Sequence, residues 1–467
     1  MVVTRKLNII GLITAFAGVA SAQGTAEATP PSTAPAVAAP EAPATADAPA
    51  ATAEKAAAPA APASVEPTAA PLAAPTASPA GSAPAQPAAE APPAEKPAIT
   101  FKPYGFARLD AAYATSRMTS AQGALWALSP SAAGADEAEF VLYPRWSRFG
   151  VDIGIPSGKD AVKITGKFEI DFNNGGSESR ALPRMLHVYG QVETGDVTIL
   201  AGQTSDLVAP LVYGGLETSI FWYGGNLGDR RPQLRVTYAP RFGAAQVVVA
   251  AAAAQSGAVG MEDEDADSVL DGVASARPAA QGLLELRYKL SETGQPLRLG
   301  VSGHHGADRL RVAGKEEMFT AMAGAAHVEL PISIVTLRAE GFLGENLRDL
   351  RGGVGQGVMV VAEKDAAGKV VGIQSAKSIP AKGGFVQLQV DPVAWYSLQL
   401  GAGVDNPRHV SEGGRGLNRT VHFSNAFKPW SAVTVGLAYD LYLTDYVGDA
   451  LDDATAHRFA SYTSVAF

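Results

Sequence analysis

Past residue 98 the chain alternates between polar and apolar positions. In Val162-Lys163-Ile164-Thr165-Gly166-Lys167-Phe168-Glu169-Ile170-Asp171-Phe172 every even position is apolar or glycine, and every odd position is polar or charged. Gln233–Tyr238 repeats the pattern, with Leu234, Val236 and Tyr238 opposing Gln233, Arg235 and Thr237. Leu284–Leu290 does so again, with Glu285, Arg287 and Lys289 on the polar side. A period of two is the mark of a strand with one wet and one apolar face. Sixteen such segments begin near Tyr104, Arg145, Ala161, Arg184, Val197, Gln233, Ala244, Gly282, Leu297, Met318, Ile332, Gly384, Ala394, Asn418, Ala432 and Arg458. Roughly 23 residues are available per segment, which suffices for a tilted membrane span of about 9–11 residues and a connection.

The connections are unequal in a regular way. Pro156–Asp160, Thr194–Asp196, Pro240–Gly243, Ser291–Pro296, Leu330–Pro331, Asp391–Pro392 and Lys428–Ser431 read as seven short turns, each following an even-numbered segment. The eight connections after odd-numbered segments read as longer loops. That arithmetic predicts an all-β fold, a sixteen-stranded antiparallel transmembrane barrel with both ends of the sheet on one side. Open sheet edges are not tolerated in lipid, so such strands must close on themselves. A soluble sandwich also alternates, but the many charges at inward positions would ruin its core, whereas a water-filled lumen accepts them. The final stretch, Arg458–Phe467, alternates too and ends on an aromatic, as an outer-membrane barrel strand does.

Composition changes the picture at the front of the chain. Residues 1–22 have a positive start at Arg5 and Lys6, an apolar stretch from Leu7 to Val19, and the small-residue site Ala20-Ser21-Ala22. They read as a secretory signal. Gln23, rather than Cys, follows, which argues against a lipid anchor. From Gly24 to Ala98, 32 residues are Ala and 17 are Pro, so neither a continuous helix nor a core can form. We therefore expect three parts: signal 1–22, a disordered Ala/Pro-rich periplasmic linker over 23–98, and a barrel domain over 99–467. The linker is read either as a plain spacer or as a tether to peptidoglycan. The absence of Cys removes disulfides, thiolate metal sites and cysteine nucleophiles. A net charge of −9 argues against nucleic acid.

Several stretches resemble the DcaP-like branch of outer-membrane porins: Tyr104-Gly-Phe-Ala-Arg-Leu-Asp-Ala-Ala-Tyr113, Ser147-Arg-Phe-Gly150, Leu200-Ala-Gly-Gln-Thr204 and Arg231-Pro-Gln-Leu-Arg-Val-Thr-Tyr238, with a long third loop between the last two. The resemblance covers residues 101–240, and the C-terminal half is similar in architecture alone. It implies a homotrimer in outer-membrane lipid, a pore narrowed by inserted loops, and passive diffusion of small anionic solutes such as dicarboxylates. The coiled-coil extension of that family is replaced by the Ala/Pro tract.

Candidate chemistry follows from these placements. The third loop, Ser205–Arg230, is unusually apolar and carries Asp206, Tyr213, Glu217, Trp222, Tyr223 and Asp229. It is expected to fold into the lumen as a constriction, the other reading being packing on a neighbouring subunit. Arg108, Arg148, Lys163, Lys167, Arg235, Arg287, Lys289, Arg298 and Arg338 form a pore-lining cationic ladder, balanced by Asp110, Asp152, Glu169, Asp171, Glu193, Glu285 and Glu340. Rings of Arg and Lys favour anions. The acidic run Glu262–Asp267 resembles the start of a Ca²⁺ loop, but Ser268 replaces its Gly and no Glu stands at the twelfth place. His304 and His305 are adjacent on a strand and point to opposite faces, so they cannot share one proton or metal. No GxSxG or P-loop occurs, and no cofactor or resident metal is expected. The readings are thus a porin first, a structural barrel tethered to peptidoglycan second, and an outer-membrane hydrolase last, with no enzyme expected.

Overall fold

The computed structural model describes residues 98–467 apart from 133, 160, 175–177, 214–220, 260–262 and 293. The signal segment, nearly all of the Ala/Pro tract, Glu217 and Glu262 lie outside the described residues.

Sixteen strands build the barrel. They are β1 Thr100–Ala114, β2 Glu139–Tyr143 continuing as Arg148–Ile155, β3 Val162–Asp171, β4 Arg184–Thr194, β5 Val197–Ser205 and β6 Arg230–Tyr238. Next come β7 Ala245–Ala254, β8 Ala279–Tyr288, β9 Leu297–Val312, β10 Lys315–Ile332 and β11 Val335–Glu345. The last five are β12 Pro380–Val393, β13 Tyr396–Pro407, β14 Arg415–Trp430, β15 Val433–Tyr446 and β16 Ala454–Ala466. Each pairs antiparallel with the next, and β16 pairs with β1 from Arg458↔Ala114 to Ala466↔Phe106, so no edge remains. The terminal Phe467 completes the seam, its N–H donating to the Gly105 carbonyl at 3.0 Å.

The alternation in the sequence becomes an inside-out distribution of side chains. Leu109, Phe168, Leu234, Leu284, Leu299, Leu400 and Leu437 are exposed on the outer face, while Asp110, Glu285, Gln387, Asn418 and Arg458 are buried on the inner one. Lipid, not water, suits that outer surface. Phe101, Tyr238, Phe242, Tyr288, Trp395, Trp430 and Phe467 are exposed at the short-turn end, where an aromatic girdle belongs.

The strands begin within four residues of expectation, apart from β2, whose upper segment starts at Glu139. Three turns lie later in the chain than the sequence pattern suggests. Leu330–Pro331 and Asp391–Pro392 lie inside β10 and β12, and the chain reverses at 333–334 and 394–395; Lys428–Trp430 ends β14 before the 431–432 turn. Proline had suggested a turn, but near a strand end its missing N–H costs little. The loop-length rule also fails once. β9 and β10 run on to Val312 and Lys315 and are joined by Ala313–Gly314, with φ of 48° and 74°. Positive φ at both positions is the two-residue hairpin turn that matches strand twist. A second hairpin, Val358–Lys364 with Val370–Ser378, rises within the loop between β11 and β12.

Candidate functional site

The third loop leaves β5 at Asp206 and travels along the inner wall. The Leu207 N–H donates to Gln281 Oε1 on β8 at 2.8 Å, Ala209 to Ser302 Oγ on β9 at 3.0 Å, and Leu211 to Glu340 Oε2 on β11 at 3.3 Å. Tyr213 then meets His422 of β14 edge-on, with ring centroids 5.0 Å apart. Beyond the undescribed stretch, Phe221 stacks on Phe385 of β12 at 5.3 Å and meets Tyr213 edge-on at 4.9 Å. The apolar character of the loop is thereby explained: apart from Val212, its described apolar side chains are buried inside the barrel.

Glycines allow the approach. A Cβ on Gly403 of β13 would lie 2.1 Å from the Gly224 carbonyl oxygen, and one on Gly225 would lie 2.3 Å from that of Gly384. Backbone therefore rests directly on backbone where the loop meets the wall.

Charge locks the root of the loop. Arg231 of β6 is wholly buried and joins Asp206 Oδ1 at 2.6 Å and Asp349 Oδ2 at 2.6 Å. Asp349 belongs to the loop after β11, and its carboxylate also accepts the Gly257 and Val259 N–H groups at 3.0 and 2.9 Å. One guanidinium thus ties three loops to the wall. Burial opposes ionisation of Asp206, but the adjacent Arg231 more than offsets it and holds the carboxyl below its usual range. Asp229, at the other end of the loop, pairs with Arg351 at 2.8 Å. Arg351 lies over the rings of Trp222 and Tyr223, at 4.8 and 5.9 Å. Trp126 of the first loop meets Tyr223 edge-on at 5.5 Å. The first, third and sixth loops therefore share one aromatic cluster with Val354.

The cationic ladder occupies the inner face, and most of its members are paired. Arg108 pairs with Asp110, Arg148 with Glu169 at 3.3 Å, Lys163 with Glu193 at 3.3 Å, and Lys167 with Asp152 at 2.7 Å. Glu285 receives Arg298 at 2.9 Å, His327 at 2.7 Å and also Arg287. Glu329 bridges Arg298 and Arg338, at 3.1 and 2.7 Å. Arg235 differs: its guanidinium bonds Gln233 Oε1 at 2.7 Å and the Ser205 carbonyl, and among the described residues it pairs with no carboxylate. Lys289 falls in the turn after β8, beyond the inner row. Toward the short-turn end an open cavity of about 360 Å³ is lined by Lys102, Asp152, Lys167, Tyr189 and Gln191.

His304 faces inward and contacts Gln281 at 3.1 Å, while His305 is exposed on the opposite face. In the sequence Arg231 reads as part of a strand, not as a loop anchor. Its inner parity with Gln233 and Arg235 signalled burial, but nothing local identified Asp349, which is 118 residues away. The row His422–Asp440–Arg458 across β14, β15 and β16 was likewise missed, because its members meet across strands.

No protein-family model and no curated protein matches the chain. Among solved structures, it is similar to the outer membrane channel DcaP of Acinetobacter baumannii, with 15% identity over 79% of this chain and 97% of that one, at a TM-score of 0.61. It is also similar to an anion-selective porin from Comamonas acidovorans, with 10% identity over 79% of this chain and 100% of that one, at a TM-score of 0.50. Identities this low speak for fold, and the fold is the sixteen-stranded barrel of the DcaP-like outer-membrane porins.

Proposed function

We propose that the chain is an outer-membrane porin through which small hydrophilic anions diffuse passively. Arg235 carries the reading: it is a cation on the inner wall that forms no ion pair with a carboxylate among the described residues, near the root of a loop held inside the barrel. The paired charges elsewhere make a polar wall with little net field, so an unpaired guanidinium weighs more than the chain's overall charge of −9. The Comamonas protein of the same fold is described as anion-selective, which supports the same direction. Assembly as a homotrimer in the outer membrane belongs to this proposal, with loop three as the constriction. No catalytic step enters it.

Planar-bilayer recording under a KCl gradient tests the reading. We expect discrete channel steps and a reversal potential on the chloride side, weaker at high salt as screening shortens the reach of Arg235. Arg235→Gln should move that potential toward zero, and Lys167→Gln should move it in the same direction, because it leaves Asp152 without its cation. A clear cation preference in the unmodified protein, or the lack of any channel steps, overturns the proposal.

A further inference from the structure

The outward face of the barrel is uncharged at the long-loop ends of β3–β8 and basic across β12–β14. On the first sector it presents Ile170, Met185, Gln203, Pro232, Ala253 and Ala280. Arg230, at the start of β6, is largely buried there and pairs with Asp229 at 3.4 Å. On the second sector stand Lys382, Arg419 and, just past the end of β13, Arg408, all exposed.

Parity puts these cations outside. Lys382 shares its face of β12 with exposed Val386 and Leu388, while Phe385 and Gln387 are buried. Arg419 shares its face of β14 with exposed Val421 and Phe423, while Thr420 and His422 are buried. At about 3.3 Å per residue and a tilt near 40°, the 382–393 stretch of β12 rises about 28 Å. Lys382 therefore lies at the outer edge of an apolar band roughly 25 Å tall, where lipid headgroups begin.

The three cations surround Asn406 of β13. Lys382 opposes Asn406 in register, and Arg419 opposes Val404, one outward position lower. Arg408 stands one outward position higher, its N–H donating to the Pro380 carbonyl at 2.8 Å. With strands about 4.8 Å apart, the Cα atoms of Lys382 and Arg419 are roughly 12 Å apart, so their long side chains can converge on one phosphate. Arg419 pairs with Asp445 at 2.5 Å and stays exposed, whereas Lys382 and Arg408 have no acidic partner among the described residues. Glu345, opposite Pro380, is the other acid of the patch, so positive charge remains in excess. Leu343, 69% exposed, opposes Lys382 from β11 and gives an acyl chain a side chain to lie against.

We propose that this patch binds the headgroup phosphate of an outer-leaflet lipid, chiefly through Lys382 and Arg408. A guanidinium matches phosphate oxygens in a planar fork, and an ammonium adds a point charge. A headgroup-level position beside Leu343 favours a phosphate carried on acyl chains over a free one. The inference rests on the barrel's place in the outer membrane, not on what passes through it.

Native mass spectrometry of the detergent-purified full chain tests this. The probes are diphosphoryl lipid A, the same lipid stripped of phosphate, and inorganic phosphate. We expect the phosphorylated lipid to bind at least about tenfold more tightly than the stripped one. Lys382→Gln, which breaks no pair, should weaken it about fivefold, and Lys382→Gln with Arg408→Gln about 25-fold. Both variants should keep heat-modifiable gel migration and the unmodified conductance, because these side chains face away from the lumen. Equal retention of the two lipids, undiminished binding by either folded variant, or release of the lipid by inorganic phosphate at matched ionic strength each overturns the site. Phosphate-dependent lipid binding by a chain without channel steps would fault the porin reading and leave this one standing.

Discussion

Replacing Arg231 by Met removes the cation that holds Asp206 and Asp349 together. The three side chains are 0%, 1% and 6% exposed, so the variant leaves two carboxylates buried without their counter-ion. Breaking a buried pair in this way costs about 3–5 kcal/mol. The barrel's own strand pairing is untouched, so the cost should fall on the loops, which escape the penalty by swinging into water. At tenfold per 1.4 kcal/mol, the population with a released third loop should rise by roughly two to three and a half orders of magnitude. Single-channel recording reads this directly: Arg231→Met should show frequent current fluctuations where the unmodified protein should be steady. Chymotrypsin should also cut the loop, whose Tyr213, Phe221, Trp222 and Tyr223 are otherwise buried. Combining Arg231→Met with Asp206→Asn and Asp349→Asn should recover part of the steadiness, because neutral groups tolerate the site better than orphaned charges. A quiet, protease-resistant Arg231→Met channel would show that glycine-lined packing alone holds the loop.

Two further outcomes are expected. Gly403→Val places bulk where a Cβ already lies 2.1 Å from the Gly224 carbonyl oxygen, so it should lift the loop from β13 and alter conductance while gel migration stays barrel-like; unchanged conductance would contradict the contact. The clamp should also resist acid: because the folded carboxyl of Asp206 is depressed, its contribution is present above the ordinary Asp value of about 3.9 and is lost as pH falls through the lower folded one, so current noise should not rise between about pH 8 and pH 5.

How much the sequence foretold depends on the range of the physics involved. Strand existence and facing are local: in β3, Lys163, Lys167 and Glu169 fall on the inner face by parity, and Ile164 and Phe168 on the outer. Turn positions were less secure, because Pro331 and Pro392 are compatible with a strand end as well as a turn. The β9–β10 loop was misjudged because alternation weakens above the membrane, where Arg309 and Glu316 pair on the outer face. Partners set by closure lay beyond reach. That Lys167 pairs with Asp152 while Arg235 has no carboxylate partner among the described residues follows from register between strands, not from any spacing within one.

The sharing of Glu285 among Arg287, Arg298 and His327 has a consequence for how such a channel diversifies. Most charges of the inner row are cancelled by a neighbour on the wall, so the lining stores opposite signs side by side. Loss of Glu285 would free Arg287 and leave Arg298 to Glu329 alone, and the sheet that displays them need not be rebuilt. On the proposed porin reading, single substitutions at such shared carboxylates change the charge of the lining, with folding and membrane insertion left to the outward face.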